Sequence, residues 1–298
     1  MAAPSEPLEL AAGDLRAGLV PAIGGSIAHF RWRGIDLMRA LSATDAQAGN
    51  VLGVACFPML PYANRITGNA FTFEGRTWRF AANNPPERFN VHGTGWQRAW
   101  SADRAGPGEA HVTLEVSGGG EPFAYRAAQR FSLSADALTV TITLTTLGEM
   151  RAPIGFGLHP WFERDADTTL QFAAKRFYLE APDHVAGDPV ALSPEWDFTA
   201  ARLLPGSWLN NDYGDWDGSA AIRYPSRGAG LRITADAVFK HLMVYADPTK
   251  SCFCAEPQTN ASGAFNRQHG FDDPREGIIV LAPGASAEGS IRFAPFGM

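Results

Sequence analysis

A two-residue alternation of apolar and polar side chains constrains this chain more than any other feature. Leu138-Thr139-Val140-Thr141-Ile142-Thr143-Leu144-Thr145 sets aliphatic residues against threonines. In a strand, that pattern puts one set in a core and the other in water. Val112, Leu114 and Val116 alternate in the same way, and Leu231/Ile233, Leu242/Val244 and Ile291/Phe293 mark further short strands. Phe71-Thr72-Phe73 and Trp78-Arg79-Phe80 flank Glu74-Gly75-Arg76-Thr77, which reads as a hairpin. The 31 glycines and 21 prolines punctuate these runs in the rhythm of an antiparallel sandwich rather than of βαβ units. Asp36 to Ala46 is the one stretch expected to hold a turn or two of helix. There is no internal repeat, low-complexity segment, charge run or convincing linker. The 298 residues suit one large all-β domain. The expected fold is therefore all-β: a large antiparallel β-sandwich forming a single domain over residues 1–298.

The formal net charge of -6 argues against nucleic acid or an anionic membrane as partner. No apolar run reaches the length of a membrane span, and the longest near the end, Gly277 to Ala282, is cut by Pro283. Met1 to Leu10 carries Glu6 and Glu9 and lacks the basic start and apolar run of a secretory leader. Cys56, Cys252 and Cys254 form an odd, sparse set whose one-residue gap suits neither a disulfide nor a zinc knuckle. They read as reduced thiols in a cytoplasmic protein. Asn260-Ala261-Ser262 matches a glycosylation triplet, a pattern frequent by chance.

Two strand-like runs carry the chemistry. In Ser251-Cys252-Phe253-Cys254-Ala255-Glu256, alternation puts Cys252, Cys254 and Glu256 on one face. Pro257 cannot donate to a ladder, so the strand is expected to end there with the carboxylate at its terminus. A carboxylate beside two weakly polar thiols is a candidate for a raised pKa and general-base work; an exposed strand-end glutamate is the plainer alternative. In Gly155-Phe156-Gly157-Leu158-His159-Pro160-Trp161-Phe162, His159 shares a face with Gly155 and Gly157 while Phe156 and Leu158 point to a core. The glycines are expected to leave room beside the histidine for a ligand.

Two further clusters add donors. Phe57-Pro58-Met59-Leu60-Pro61-Tyr62-Ala63-Asn64-Arg65-Ile66 is an irregular loop in which Arg65 offers a planar fork, unless it is simply ion-paired at the surface. Asn90-Val91-His92-Gly93 puts His92 beside glycine; taken alone, His92 reads more readily as a structural, hydrogen-bonded histidine. His159 and Glu163 have a helical ligand spacing, but Pro160 argues against a helix, and no His-x-His or Cys-x-x-Cys occurs. No metal is expected. Neither a nucleophile elbow nor a phosphate or dinucleotide loop is present, so no cofactor is expected. Acid/base chemistry by histidine and carboxylate remains. Trp96, Trp161, Trp208 and Trp216 are flat faces on which a sugar can stack, although core packing is the commoner role of a tryptophan.

The stretches Phe57 to Arg65, His92-Gly93, Gly157-Leu158-His159-Pro160-Trp161-Phe162 and Glu256-Pro257-Gln258-Thr259 with Phe265-Asn266 resemble the signatures of aldose 1-epimerases (galactose mutarotases). So does the closing Leu281-Ala282-Pro283-Gly284. The resemblance implies a cofactor-free interconversion of the α and β anomers of a free sugar. It further implies Glu256 as general base and His159 as general acid, with Arg65 and His92 binding substrate oxygens. The family's sugar-binding aspartate maps to Asn210-Asn211-Asp212-Tyr213-Gly214-Asp215-Trp216-Asp217-Gly218, where Asp212 is the choice and Asn211 or Asp215 the alternatives. The expected partner is a small-molecule sugar, bound by a monomer or homodimer. Rival expectations are a sugar-phosphate mutarotase, for which Arg88 and Arg98 flank His92, a non-catalytic sugar sensor, and a sandwich-fold glycoside hydrolase, which needs a second carboxylate.

Overall fold

A computed structural model describes residues 7–117 and 123–298; residues 1–6 of the stretch screened for a leader lie outside them. Among the described residues, eleven strands form one sheet and nine another, with short two-stranded pieces beside them. The threonine-rich run becomes the strand Leu138–Thr146, paired antiparallel with Tyr125–Leu133 and Ser286–Gly297. Leu138, Val140, Ile142 and Leu144 are fully buried. On the other face Thr141 meets Ser290 at 3.0 Å, Thr143 donates to Glu288 at 2.7 Å, and Thr145 meets Ser286 at 2.7 Å. One apolar cluster joins Val140 and Ile142 of the nine-stranded sheet to Phe30, Phe162, Leu242 and Phe253 of the other. Each such side chain contributes on the order of 1.5–3 kcal/mol by leaving water. The architecture is the expected antiparallel β-sandwich. No described helix is long and apolar enough to cross a membrane.

Local signals mostly resolve as expected. The hairpin forms between Ala70–Phe73 and Arg76–Arg79, tighter than expected because Glu74 (φ 48°) and Gly75 (φ 76°) make a two-residue turn. The helix is Ala43–Ala48, later than the expected stretch. Ser42 caps it by accepting from Asp45 N, whereas Asp36 closes the strand Ile35–Asp36. The three cysteines are free. Asn260 of the Asn-Ala-Ser triplet is buried, its amide bonded to Ala63 N and O.

The eleven-stranded sheet positions the candidate site. Its relevant strands lie side by side in the order Cys56–Met59, Gly157–Glu163, Cys252–Gln258, His241–Ala246, Leu209–Gly214 and Arg176–Glu180. Two expectations are corrected here. The strand carrying Glu256 does not end at Pro257: it continues to Gln258, with Glu256, Pro257 and Gln258 opposite Met243, Leu242 and His241. Thr259 N bonds to Phe156 O, so by alternation the missing donor of Pro257 faces the His159 strand and costs that side alone. Pairing between those two strands is accordingly registered at Gly157↔Gln258 and Trp161↔Cys254 but not between. Pro160 and Pro257 leave the ladder open where His159 lies opposite Glu256.

The second correction concerns Gly155 and Gly157. A Cβ at Gly155 would meet Asn260 Oδ1 at 2.0 Å, and one at Gly157 would meet Pro257 O at 2.6 Å and Met59 Cε at 2.7 Å. The glycines admit neighbouring backbone and side chains, not a ligand. Phe156 and Leu158 do point into the core.

Candidate active site

Two rows of side chains cross one face of this sheet, two residues apart along every strand. The first runs His159, Glu256, Met243, Asp212, Tyr178, and the second Trp161, Cys254, Tyr245, Asn210, Glu180. Above them opens a cavity of about 340 Å³, within the range of small-molecule sites. His159, Glu256, Arg65 and His92 all line it, brought together from four separate stretches of chain.

His159 Nε2 lies 3.3 Å from Glu256 Oε1. The imidazole stacks on Phe57 with ring centroids 4.4 Å apart. Glu256 is 2% exposed. Burial pushes its carboxyl well above the usual range, against the pull of Arg65 and with a further push from Asp212. Burial also lowers the His159 imidazole, to about 3. Both shifts have one cause, since each group ionises only by placing charge in a dry site. Both shifts favour the uncharged forms, a protonated carboxyl beside a neutral imidazole. Glu256 Oε2 and His159 Nδ1 have no hydrogen-bond partner within the protein.

Arg65 and His92 are presented by the short ladder Arg65–Ile66 with Asn90–Val91. Asn64 (φ 63°) and His92 (φ 59°) both adopt left-handed backbone and grip each other: His92 N donates to Asn64 O, and Asn64 N donates to His92 Nδ1 at 3.0 Å. An amide can only donate, so Nδ1 accepts and the proton of the neutral ring sits on Nε2. Burial, then His159 and Arg65, hold His92 far below its ordinary range and so neutral. Arg65 is clamped by Glu87 through Nε at 3.0 Å and Nη2 at 2.8 Å, while Nη1 reaches His184 O at 3.3 Å.

Trp161, Tyr245 and Trp208 form an aromatic wall, with Trp161 edge-on to Tyr245 at 5.8 Å and Tyr245 edge-on to Trp208 at 5.3 Å. Trp96 lines the cavity from behind, stacked on Phe57. Trp216 packs in the core. Asp212 stands beyond Met243 and does not line the main cavity; its buried Oδ2 accepts from Ser262 N at 2.7 Å and lies 3.3 Å from His241 Nδ1. Asn211 donates to Tyr178 O, and Asp215 is paired with Arg176. Asn210 is the member of that stretch that lines the cavity. Sequence reasoning passed over it, and it also missed Glu87, Tyr245 and His184. Asn210, Glu87 and Tyr245 acquire their places from distant strands or loops, and the pairing of His184 with Glu180 four residues before it does not by itself point to a cavity.

His159, Cys254 and Glu256 offer donor atoms all within 4.8 Å of one another. Burial raises both Cys254 and Glu256 well above their ordinary ranges, so a cation bound here would have to displace their protons.

A family model described as aldose 1-epimerase matches residues 8–294. The uncharacterized protein YphB of Escherichia coli K12 is 32% identical over 271 residues, 88% of this chain and 90% of its own. Among solved structures, a candidate aldose 1-epimerase of Escherichia coli K12 superposes with a TM-score of 0.90 at 28% identity, covering 99% of both chains. The GalM/aldose epimerase homologue of C. elegans superposes at 0.82 with 18% identity, over 99% of this chain and 100% of the other, a likeness of fold.

Proposed function

The chain belongs to the aldose 1-epimerase family, and from that premise we propose that it interconverts the α and β anomers of a free aldose. The contact of His159 Nε2 with Glu256 Oε1 at 3.3 Å carries the proposal. Ring opening requires a proton to leave the C1 hydroxyl as another reaches the ring oxygen, and two adjacent groups sharing one proton can do both. The polar hydroxyls of an entering sugar, with Arg65 nearby, would favour the charged form of the pair, the proton passing from Glu256 to His159. Glu256 then takes the C1 hydroxyl proton while His159 protonates the ring oxygen, and the C1–O5 bond breaks to an open-chain aldehyde. Rotation about C1–C2 and the reverse transfers close the ring with the hydroxyl on the other face. Arg65 and the Nε2–H of His92 would bind sugar oxygens and steady the developing charge. Asp212 would act at one remove, through its charge on Glu256, rather than through the sugar.

The charges in the cavity favour a neutral sugar. Arg65 is already paired with Glu87, and Arg88 and Arg98 do not line the cavity; Arg88 pairs with Asp183. A phosphate would need an unspent cation. Glycoside hydrolysis is disfavoured because Glu87, the other glutamate of the cavity, is held bidentate by Arg65. The test is polarimetry on freshly dissolved α-glucose, α-galactose, L-arabinose and glucose 6-phosphate. Acceleration with one or more of the free sugars is expected. Acceleration of glucose 6-phosphate alone would transfer the activity to sugar phosphates, and binding without acceleration would make the protein a sensor.

A further inference from the structure

We propose that Glu180, which stands outside the main cavity, is the positioning residue for its recognition wall and thereby sets which aldoses are accepted; this rests on the mutarotase function proposed above. One carboxylate gathers three side chains of the cavity lining. Glu180 Oε1 accepts from Asn210 Nδ2 at 2.6 Å and meets His184 Nδ1 at 2.6 Å, and Oε2 accepts from Trp208 Nε1 at 2.7 Å. Asn210, His184 and Trp208 all line the main cavity, and Glu180 does not.

The fold aims Glu180 deliberately. Against the strand Ala186–Ala191 the register shifts by one residue between Tyr178↔Pro189 and Glu180↔Ala186, a bulge of the kind that re-aims a side chain. On its other side Tyr178 pairs with Asp212, which continues Glu180 to a place opposite Asn210. His184 and Asp183 hold left-handed backbone, φ 56° and 63°, a costly state for non-glycine residues. Glu180 on the His184 ring, Arg65 on the His184 carbonyl and Arg88 on Asp183 oppose that cost.

Because a carboxylate only accepts, it fixes what the three side chains show the cavity. Asn210 must give its nitrogen to Glu180, leaving its amide oxygen to accept from a sugar hydroxyl. His184 must carry a proton on Nδ1 to meet the Glu180 carboxylate. The indole of Trp208, 42% exposed, is held at one angle by its single N–H. Asn210 lies two strands from Glu256, on the order of 10 Å at ordinary strand spacing. It therefore meets the end of the sugar remote from C1, where aldoses differ from one another. The ligand class is a pyranose recognised by hydroxyl donors and one stacked face.

The test compares wild type with Glu180→Ala and Glu180→Gln by polarimetry on α-glucose and α-galactose, with sugar affinity from quenching of tryptophan fluorescence. For Glu180→Ala, KM is expected to rise about tenfold, with kcat falling less than threefold, as hydrogen-bond energies predict. The ratio of kcat/KM between the two sugars should move towards one. Glu180→Gln keeps the volume and one acceptor and should recover part of the loss; it also serves if the alanine variant fails to fold. In a cycle with Asn210→Ala, the double variant should lose little more than the worse single one, since Glu180 acts through Asn210. A purely structural glutamate would lower Tm and active fraction, and so kcat, at unchanged KM and sugar preference; that result, or additive effects in the cycle, would overturn the proposal. A wild type that binds sugar but never accelerates mutarotation would refute the catalysis alone, and the affinity arm would still judge Glu180.

Discussion

The two rows on the sheet face differ in their carboxylates, although Cys254 of the second row is fully buried and Trp161 Nε1 also lacks a partner within the protein. In the first, Glu256, Asp212 and Tyr178 are at most 2% exposed, and Glu256 Oε2, Asp212 Oδ1 and His159 Nδ1 lack partners within the protein. In the second, Glu180 has both carboxylate oxygens bonded, and Trp208 beside it stands partly in water. Unmet hydrogen-bonding capacity in a dry place costs stability and shifts pKa values. Satisfied groups at the rim cost little and hold a shape. Under the proposed function, chemistry and recognition are separated by two residues along each strand of one sheet.

The largest expected effect falls on the first row. Glu256→Gln keeps shape but removes basicity, so kcat should drop about 10²–10⁴-fold with little change in sugar affinity. His159→Asn should fold normally and lose activity comparably. Retention of more than about a third of the wild-type rate by either variant, measured by polarimetry, would remove that residue from proton transfer.

The same row should govern how stability depends on pH. The folded His159 takes its proton only near pH 3, whereas the unfolded chain takes it near its ordinary value of about 6.5. Between those limits the unfolded state binds more protons, so stability falls with falling pH by up to about 1.4 kcal/mol per pH unit from this residue. Urea unfolding of His159→Asn should show a correspondingly shallower acid slope. Glu256 acts in the opposite sense: burial raises its folded pKa, so the stability it contributes below its unfolded pKa is lost as pH rises. Glu256→Gln should therefore be more stable than wild type at pH 8, with the gap closing towards pH 5. A gap that widens on acidification would contradict the buried, proton-loaded carboxyl.

Effects in the second row, and at Trp208 bonded to it through Glu180, should be smaller and of another kind. Asn210→Ala or Trp208→Ala should raise KM about five- to twentyfold, the worth of one or two hydrogen bonds or a stacked face, with kcat within threefold. A kcat loss as large as that of Glu256→Gln would erase the division between the rows. Smallest of all is the expected effect of chelation. Prolonged EDTA treatment and desalting should leave the rate unchanged, and loss restored by one divalent ion would make His159 a ligand rather than an acid.

Much of this architecture was legible because alternation is a local property: the aliphatics of Leu138–Thr146 could only face one way. His159 and Glu256 were legible as side chains on definable strand faces. Their apposition was not, because it depends on the register between strands almost a hundred residues apart and on two prolines opening that ladder. The rule that proline ends a strand misplaced the end at Pro257, because a local rule does not know which neighbour faces the missing donor. The glycines beside His159 were misread for a similar reason, since the atoms filling their space come from Asn260, Pro257 and Met59. Glu180 and Glu87 went unnoticed because Asn210, Trp208 and Arg65 lie more than twenty residues from them, and the one local partner, His184 four residues after Glu180, does not by itself mark a cavity.

The most direct measurement is anomer exchange of C1-labelled sugar by NMR, recorded together with sugar affinity, for wild type, Glu256→Gln and Trp208→Ala. Division of the sheet face into a chemical and a recognition row predicts that Glu256→Gln binds sugar within about threefold of wild type, yet exchanges anomers at least about a hundredfold more slowly. Trp208→Ala should bind more weakly and exchange at a near wild-type rate once saturated. Normal exchange in Glu256→Gln, or loss of exchange without loss of affinity in Trp208→Ala, would contradict it.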